Sequence, residues 1–435
     1  MSFWGQPCNN LNSLWGALDG TYNAANGRPV DLSILDAIPP FPVREWRPFA
    51  MLELTQALHA YSSTLALKPD HITWGMLKHL SANPHIAGLF LGLAEACLQV
   101  GHWPAHFKES LFIIILKPGK SSYITSKSFC PIVLLNTLGK LIEKMLSHCL
   151  QFDGVQYSAF QPNQFGGISQ RSMEDAGVFI THLIRAGWAK KFKTSVVAFD
   201  IAQFFPSLDH DILMVVIAKA GFPPEVGNFP QSYLTGHKTM YKWDDFMSML
   251  FVADIGVGQG SGLSLVLLGL YISLVLKLFS FKPILKEVQL LSYVDNGTIL
   301  MQSPHLVQNI PKLIAAYGVI YHLLTALGLV LEHDKSEVYH FSQSWGESHL
   351  PIDLGFAPYM GNMPLGPKLY WQYLGFYFDH TLSFREHIRY YAIKAMMTIR
   401  ALGMLGNSSR GVLVMNKCLL YRIYIVPVVT YGLCL

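Results

Sequence analysis

Between Asp254 and Lys277 the chain carries no charge, and the second part of that stretch, residues 263–276, is strongly apolar. A run of this kind must be buried in a core or placed in a bilayer, so it limits the fold more than any other feature. Crossing a bilayer takes about 20 apolar residues. Here the first third reads Gly256-Val257-Gly258-Gln259-Gly260-Ser261-Gly262, which suits a turn, and the remainder has the length of a buried core helix. A soluble fold around one deeply buried helix is the expectation. A membrane-anchored protein held by residues 263–276 is the alternative.

Composition bears on the same choice. Hydrophobic residues make up 51% of the 435 and charged residues 14%, against about 25% charged in ordinary globular proteins. That length allows two or three domains. The net charge of +4 is too small to imply a nucleic-acid partner. From His380 onward, however, Arg385, Arg389, Lys394, Arg400, Arg410, Lys417 and Arg422 stand against Glu386 alone. Such a stripe suits a phosphate backbone; a solvated helix face is the plainer reading. The six cysteines contain no C-x-x-C pair, which argues against a zinc site or a disulfide framework and for a reducing compartment. The start, MSFWGQPCNN, lacks a basic region followed by an apolar one, so an intracellular protein, nuclear or cytoplasmic and not secreted, is expected.

Helical patterns run over residues 50–62, 71–80, 86–100, 137–150 (with Asn136 as cap), 208–220 and 384–402. Strand patterns run over 112–116, entering a turn at 117–120, and over 194–199, stopping at Asp200. Residues 290–300 read as strand, turn, strand with Val294-Asp295-Asn296-Gly297 at the tip, since Asn-Gly is the strongest short hairpin signal. Hairpins without regular β-α-β alternation predict an α+β fold, an antiparallel sheet flanked by helices.

Two carboxylates therefore sit where strands end, Asp200 and Asp295. A buried strand ending in an unpaired charge is costly, and a divalent cation removes that objection. Mg²⁺ is content with one or two carboxylates plus substrate phosphates. Two ions about 4 Å apart can activate a 3′-hydroxyl and steady a leaving pyrophosphate. The pair alone is a weak signal.

The surrounding segments make it stronger. Phe199-Asp200-Ile201-Ala202-Gln203-Phe204-Phe205 resembles the first catalytic segment of the reverse transcriptase palm. Gly256 to Ser261 resembles its Gln-Gly loop, Tyr293-Val294-Asp295-Asn296-Gly297 its aromatic-x-Asp-Asp hairpin, and the stretch from Leu327 to Glu337 its lysine segment. Tyr373-Leu374-Gly375 resembles the hairpin that grips the primer, and residues 116–146 resemble the fingers. Five segments in the family's order, within about residues 50–425, mark a likeness to reverse transcriptases of non-LTR retrotransposons, most of all the fungal type.

The resemblance implies a right-hand polymerase: an N-terminal extension (1–50), fingers (51–195), a palm with an antiparallel sheet (196–378) and a partial helical thumb (379–435). It implies RNA-directed DNA synthesis from dNTPs on a DNA primer and RNA template, with two Mg²⁺ ions or Mn²⁺ held by Asp200 and Asp295 and with Asn296 beside them. Phe205 would gate the sugar and Gln259 and Gly260 would shape the nucleotide pocket. Lys335 would lie near the departing phosphates, Lys117 and Lys140 would contact phosphate, and Arg385, Arg389, Lys394 and Arg400 would contact nucleic acid. No membrane partner is implied. Maturase-like and telomerase-like relatives share such a palm, but WQYLGFYF at residues 371–378 favours retroelements.

Four departures fall at positions that matter. Asn296 stands for the second aspartate, Cys130 for an arginine on the triphosphate, Leu265 for a proline and Lys68 for a turn glycine. A thiol cannot supply the guanidinium's planar fork. The expectation is a copy with impaired catalysis, the alternative a nucleic-acid-binding remnant without any. The glycine run matches neither dinucleotide-binding nor phosphate-loop spacing, since Ser261 fills the third glycine position and no Gly-Lys-Ser/Thr follows.

Overall fold

The computed structural model describes residues 2–3, 6–7, 25, 27–65, 70–116, 129–243, 246–252, 256–258, 260–343, 349–354, 364–404 and 411–435. In chain order the principal elements are α1 (Met51–His59), α2 (Trp74–Ser81), α3 (Pro84–Gln99), β1 (Glu109–Leu116), β2 (Phe129–Leu135), α4 (Thr137–Gln156), α5 (Met173–Ala189), β3 (Lys193–Ala202), α6 (His210–Lys219), α7 (Pro224–Leu234) and β4 (Lys238–Trp243). There follow α8 (Ser264–Ser280), β5 (Gln289–Tyr293), β6 (Asn296–Ser303), α9 (Leu306–Ala326), β7 (Val330–Leu331), β8 (Glu337–Phe341), β9 (Trp371–Tyr373), β10 (Phe376–Phe378) and α10 (Arg385–Met404). The chain divides into two discontinuous units, one of residues 1–169, 201–281 and 320–331, the other of residues 170–200, 282–319 and 332–435.

In the first unit β1 is central. It pairs antiparallel with β2 and parallel with β4, from Glu109↔Lys238 to Ile113↔Lys242. The strands of the parallel pair lie far apart in sequence, so no local pattern announces it. Helix α8 lies in the core, with Val266, Leu267, Leu268 and Leu270 each at most 2% exposed. Burying each such side chain contributes roughly 1.5–3 kcal/mol. The apolar part of the uncharged run is thus a core helix, and among the described residues no helix is long and apolar enough to cross a membrane. Asn136 stands at the start of α4 but does not cap it with its side chain. Asp70 does so instead, accepting the Thr137 N–H at 2.6 Å.

In the second unit β3 is central. Its β-branched run buries Val196 and Val197 completely. It is paired antiparallel with β6, from Asn296↔Asp200 to Ser303↔Lys193, and with β8, from Glu337↔Ala198 to Phe341↔Thr194. β5 pairs with the outer side of β6. The buried Ser195 hydroxyl is answered from two sides, by Asn309 Nδ2 at 2.9 Å and His340 Nδ1 at 2.8 Å, which fixes α9 and β8 against the strand. Ser172 opens α5 with a reciprocal cap: its hydroxyl accepts the Asp175 N–H at 3.1 Å while the Asp175 carboxylate accepts the Ser172 N–H at 2.7 Å.

Candidate active site

The tip of the hairpin that delivers Asp295 lies just before the Asn-Gly pair. Tyr293 faces Asn296 across the ladder, so the two-residue tip is Val294-Asp295, and Asn296 and Gly297 lie inside β6. The positive φ of such a turn falls on Val294, at +54°, an unfavourable conformation for a β-branched residue. Gly297 serves a different need. A Cβ there would lie 2.0 Å from Phe199 Cζ, because the Phe199 ring lies across the strand at this point. Gly297→Ala should therefore cost about 1–3 kcal/mol as an overpacked contact, read as a lower urea midpoint with an unchanged slope.

The ladder sets Asn296 directly opposite Asp200, and so brings Asp295 beside it. Burial first, and then the charge of Asp200, raise the pKa of Asp295 above the ordinary carboxylate value. The Asn296 amide, donating to Asp295 Oδ1 at 3.0 Å, pulls the other way. Lys335 enters on the short turn His333–Lys335, which is tied to β3 by the Glu332 N–H donating to Asp200 O at 2.8 Å. Its ammonium lies 2.5 Å from Asp200 Oδ2 and 2.7 Å from Glu332 Oε2. Burial would lower the pKa of this ammonium, but the two carboxylates outweigh burial and raise it. Tyr317 steadies the turn through His333 Nδ1 at 3.1 Å and Ser336 Oγ at 2.9 Å, with its ring edge-on to Phe199.

A cavity of about 360 Å³ opens beside Asp200, Asn296, Lys335, Gln372 and Tyr373. β9 and Leu374 also line it, and the β9–β10 turn is formed by Leu374 and Gly375, both at positive φ. Two tyrosine hydroxyls hold that turn: Tyr391 donates to Gly375 O at 3.0 Å and Tyr431 to Leu374 O at 2.6 Å. Neither tyrosine stands out in the sequence.

In the other unit, Phe204 is the core aromatic, edge-on to Tyr271, whereas Phe205 is half-buried. The Phe205 carbonyl accepts the Val257 N–H at 2.8 Å, and the Leu208 carbonyl accepts the Gly256 N–H at 3.0 Å, so the glycine segment runs beside Phe205. Gly256 must be glycine, since a Cβ would fall 2.5 Å from Pro206 Cα. Gly260, at φ +129°, lies against Val133 O. Lys140 turns inward, 8% exposed, with its ammonium 5.6 Å from the Tyr61 ring centre. Gln259, Lys117, Lys68 and Arg410 lie outside the described residues, and of Cys130 only the backbone is described, opposite Ile115.

On α10 the side chains of Arg385, Arg389, Lys394 and Arg400 are exposed. At about 100° per residue, Arg385, Arg389 and Arg400 fall within about 60° of one another and Lys394 on the opposite side. The basic residues therefore form a three-membered face, and Lys394 stacks its charge over Tyr390 and Tyr391 instead.

The sequence profile of the reverse transcriptase (RNA-dependent DNA polymerase) family matches residues 115–378. The chain belongs to the reverse transcriptase family. Three curated relatives of this reverse transcriptase chain come from flies. The probable RNA-directed DNA polymerase from transposon BS of Drosophila melanogaster is 28% identical over 217 residues, 49% of this chain and 23% of that protein. The RNA-directed DNA polymerase from mobile element jockey is 23% identical over 352 residues in Drosophila funebris, covering 80% of this chain and 37% of the relative. Its Drosophila melanogaster counterpart is 25% identical over 323 residues, covering 70% and 32%. The reverse transcriptase chain thus spans well under half the length of these relatives. They are insect elements, and they give no support to the fungal affiliation expected from the sequence.

Proposed function

We propose that this chain is the polymerase portion of a non-LTR retrotransposon protein, extending a DNA primer on an RNA template. The primer 3′-hydroxyl would attack the α-phosphorus of a dNTP, lose its proton and form the new phosphodiester while the α–β bond breaks and pyrophosphate leaves. The observation that carries this reading is the pairing of Asp200 opposite Asn296, which sets Asp295 beside Asp200 with a raised pKa.

Burial and the charge of Asp200 both disfavour an ionised Asp295, and a divalent cation would relieve that cost. Among the described residues no cluster of three His, Cys, Asp or Glu side chains could hold an ion by itself. Asp200 and Asp295 would suit a metal whose remaining ligands are substrate phosphates and water. Bound there, Mg²⁺ or Mn²⁺ would make the 3′-hydroxyl a better nucleophile and neutralise the leaving pyrophosphate. We assign to Lys335 a contact with the departing phosphates, to Phe205 the exclusion of a ribose 2′-hydroxyl, and to Gln259 and Gly260 the shape of the nucleotide pocket. Lys117 and Lys140 are assigned to the triphosphate, and Arg385, Arg389 and Arg400 to the nucleic-acid backbone.

The test is primer extension on an RNA template with Mg²⁺ and separately with Mn²⁺. Extension dependent on dNTPs and metal is the expected result. Salt-dependent binding of primer–template with no extension under either metal would instead establish a binding remnant, the reading favoured by Asn296 and by the exposed arginine face of α10.

A further inference from the structure

Glu143 lies on α4, one turn after Lys140, at 4% exposure. A carboxylate so deeply buried is costly unless its oxygens are answered by donors. They are. Oε1 accepts the Tyr233 hydroxyl at 3.0 Å, and Oε2 accepts the Gly262 backbone N–H at 3.0 Å. Because Tyr233 donates to Glu143, its oxygen is left to accept from the Ser261 hydroxyl, 2.9 Å away. Ser261 Oγ in turn accepts the Leu263 N–H at 3.0 Å. A single side chain on α4 thus terminates two hydrogen-bonded routes from the segment just after Gly260.

That segment has little room to settle elsewhere. Gly260 lies against Val133 O, a Cβ at Gly262 would lie 3.1 Å from Lys144 N, and the Ser264 hydroxyl donates to Gly258 O at 2.9 Å. Burial raises the pKa of Glu143, against the opposing pull of its donors and of the Lys140 charge. A residue kept at that cost, with its bonds directed to one loop, is a device for fixing the loop.

We propose that Glu143 is a positioning residue for nucleotide binding: its buried carboxylate holds residues 260–263 in place and thereby sets the affinity for the incoming dNTP. The inference rests on the polymerase reading, in which Gln259 and Gly260 shape the nucleotide pocket. Glutamine can replace the carboxylate by reversing one bond. Its Oε1 accepts from Gly262, and its Nε2 donates to Tyr233, which then donates to Ser261. Leucine offers neither interaction.

The experiment uses the full chain with an RNA template, a dideoxy-terminated DNA primer and Mg²⁺, so that dATP binding is measured without chemistry. Deuterium uptake of the peptide covering residues 258–264 is followed in parallel. Glu143→Leu should speed exchange in that peptide and raise the dATP dissociation constant about tenfold, the loss expected for one charge-assisted hydrogen bond. Primer–template affinity should be unchanged. Glu143→Gln should stay within about threefold of the parent by the same measure. Tyr233→Phe, which removes one hydroxyl and buries nothing new, should shift both readouts in the direction of Glu143→Leu by less, and it serves if the leucine variant does not fold. Unchanged exchange, or faster exchange with unchanged dATP affinity, overturns the inference while the polymerase reading stands. Failure of the unaltered chain to bind dATP overturns that reading, and the inference with it.

Discussion

Asp200→Asn should reduce primer extension at least a hundredfold, about 10²–10³ by analogy with removing one preorganised group that faces developing charge. Asparagine keeps the shape of aspartate and the pairing with Asn296 rests on backbone bonds, so the loss should appear in the single-turnover rate and not in the fold. Giving up the ion pair with Lys335 matters little to stability, since Lys335 is 56% exposed and such pairs are worth about 0–1 kcal/mol. Asp295→Asn should match the loss of activity but differ in its stability profile. A carboxyl whose pKa is raised on folding keeps its proton longer in the folded state than in the unfolded one. Its cost is absent below the ordinary Asp pKa, grows as pH rises through the interval up to the raised value, and is constant above it. Asp295→Asn should therefore melt no lower than the parent at pH 7, with the difference closing as pH falls through that interval. Extension retained by both variants would end the metal assignment.

The second large effect is a gain. Asn296→Asp restores a negative charge at the position opposite Asp200, and Cys130→Arg restores a planar five-donor cation on β2. If the copy is impaired for these two reasons, the double variant should extend primers about 10²-fold or more faster than the parent. The two gains need not multiply, because groups acting on one transition state are not additive. Extension by the parent that already equals the double variant would remove the claim of impairment. Asn296→Asp also adds a third carboxylate beside two others. Without metal that variant should melt lower than the parent above the carboxylate pKa range, and Mg²⁺ should recover most of the difference.

The strand and the hairpin that carry Asp200 and Asp295 were legible because their signals are local, although β3 runs past Asp200 to Ala202. A β-branched run stopping at Asp200 and a hairpin at Asp295 need only neighbouring residues to be recognised. The same locality misplaced the hairpin tip. Asn296-Gly297 satisfies the turn rule, yet Gly297 is glycine because Phe199 crosses it, and Val294 carries the positive φ. Asn136 has the right chemistry for a cap and the right place, but Asp70, distant in sequence, supplies the oxygen. Glu143 was missed for a related reason. Set between Lys140 and Lys144, it reads as part of a solvated charge pattern, and only the packing of Tyr233 and Gly262 around it reveals a buried anchor. The tyrosines on the β9–β10 turn come from α10 and from the last residues of the chain, so no spacing rule joins them.

The strand order of the second unit has a consequence for how the protein is made. β3 emerges from the ribosome long before β6 and β8, the strands that cover its two edges. At about 5–20 residues per second, the wait for both partners is on the order of ten seconds. Until β6 is made, Thr194 to Phe199 is an uncharged, β-prone strand with both edges open, the kind of segment that seeds aggregation. A nascent-chain holdase, or slower growth at low temperature, should therefore raise the soluble yield, and a stop codon placed between β6 and β8 should drive the product into inclusion bodies.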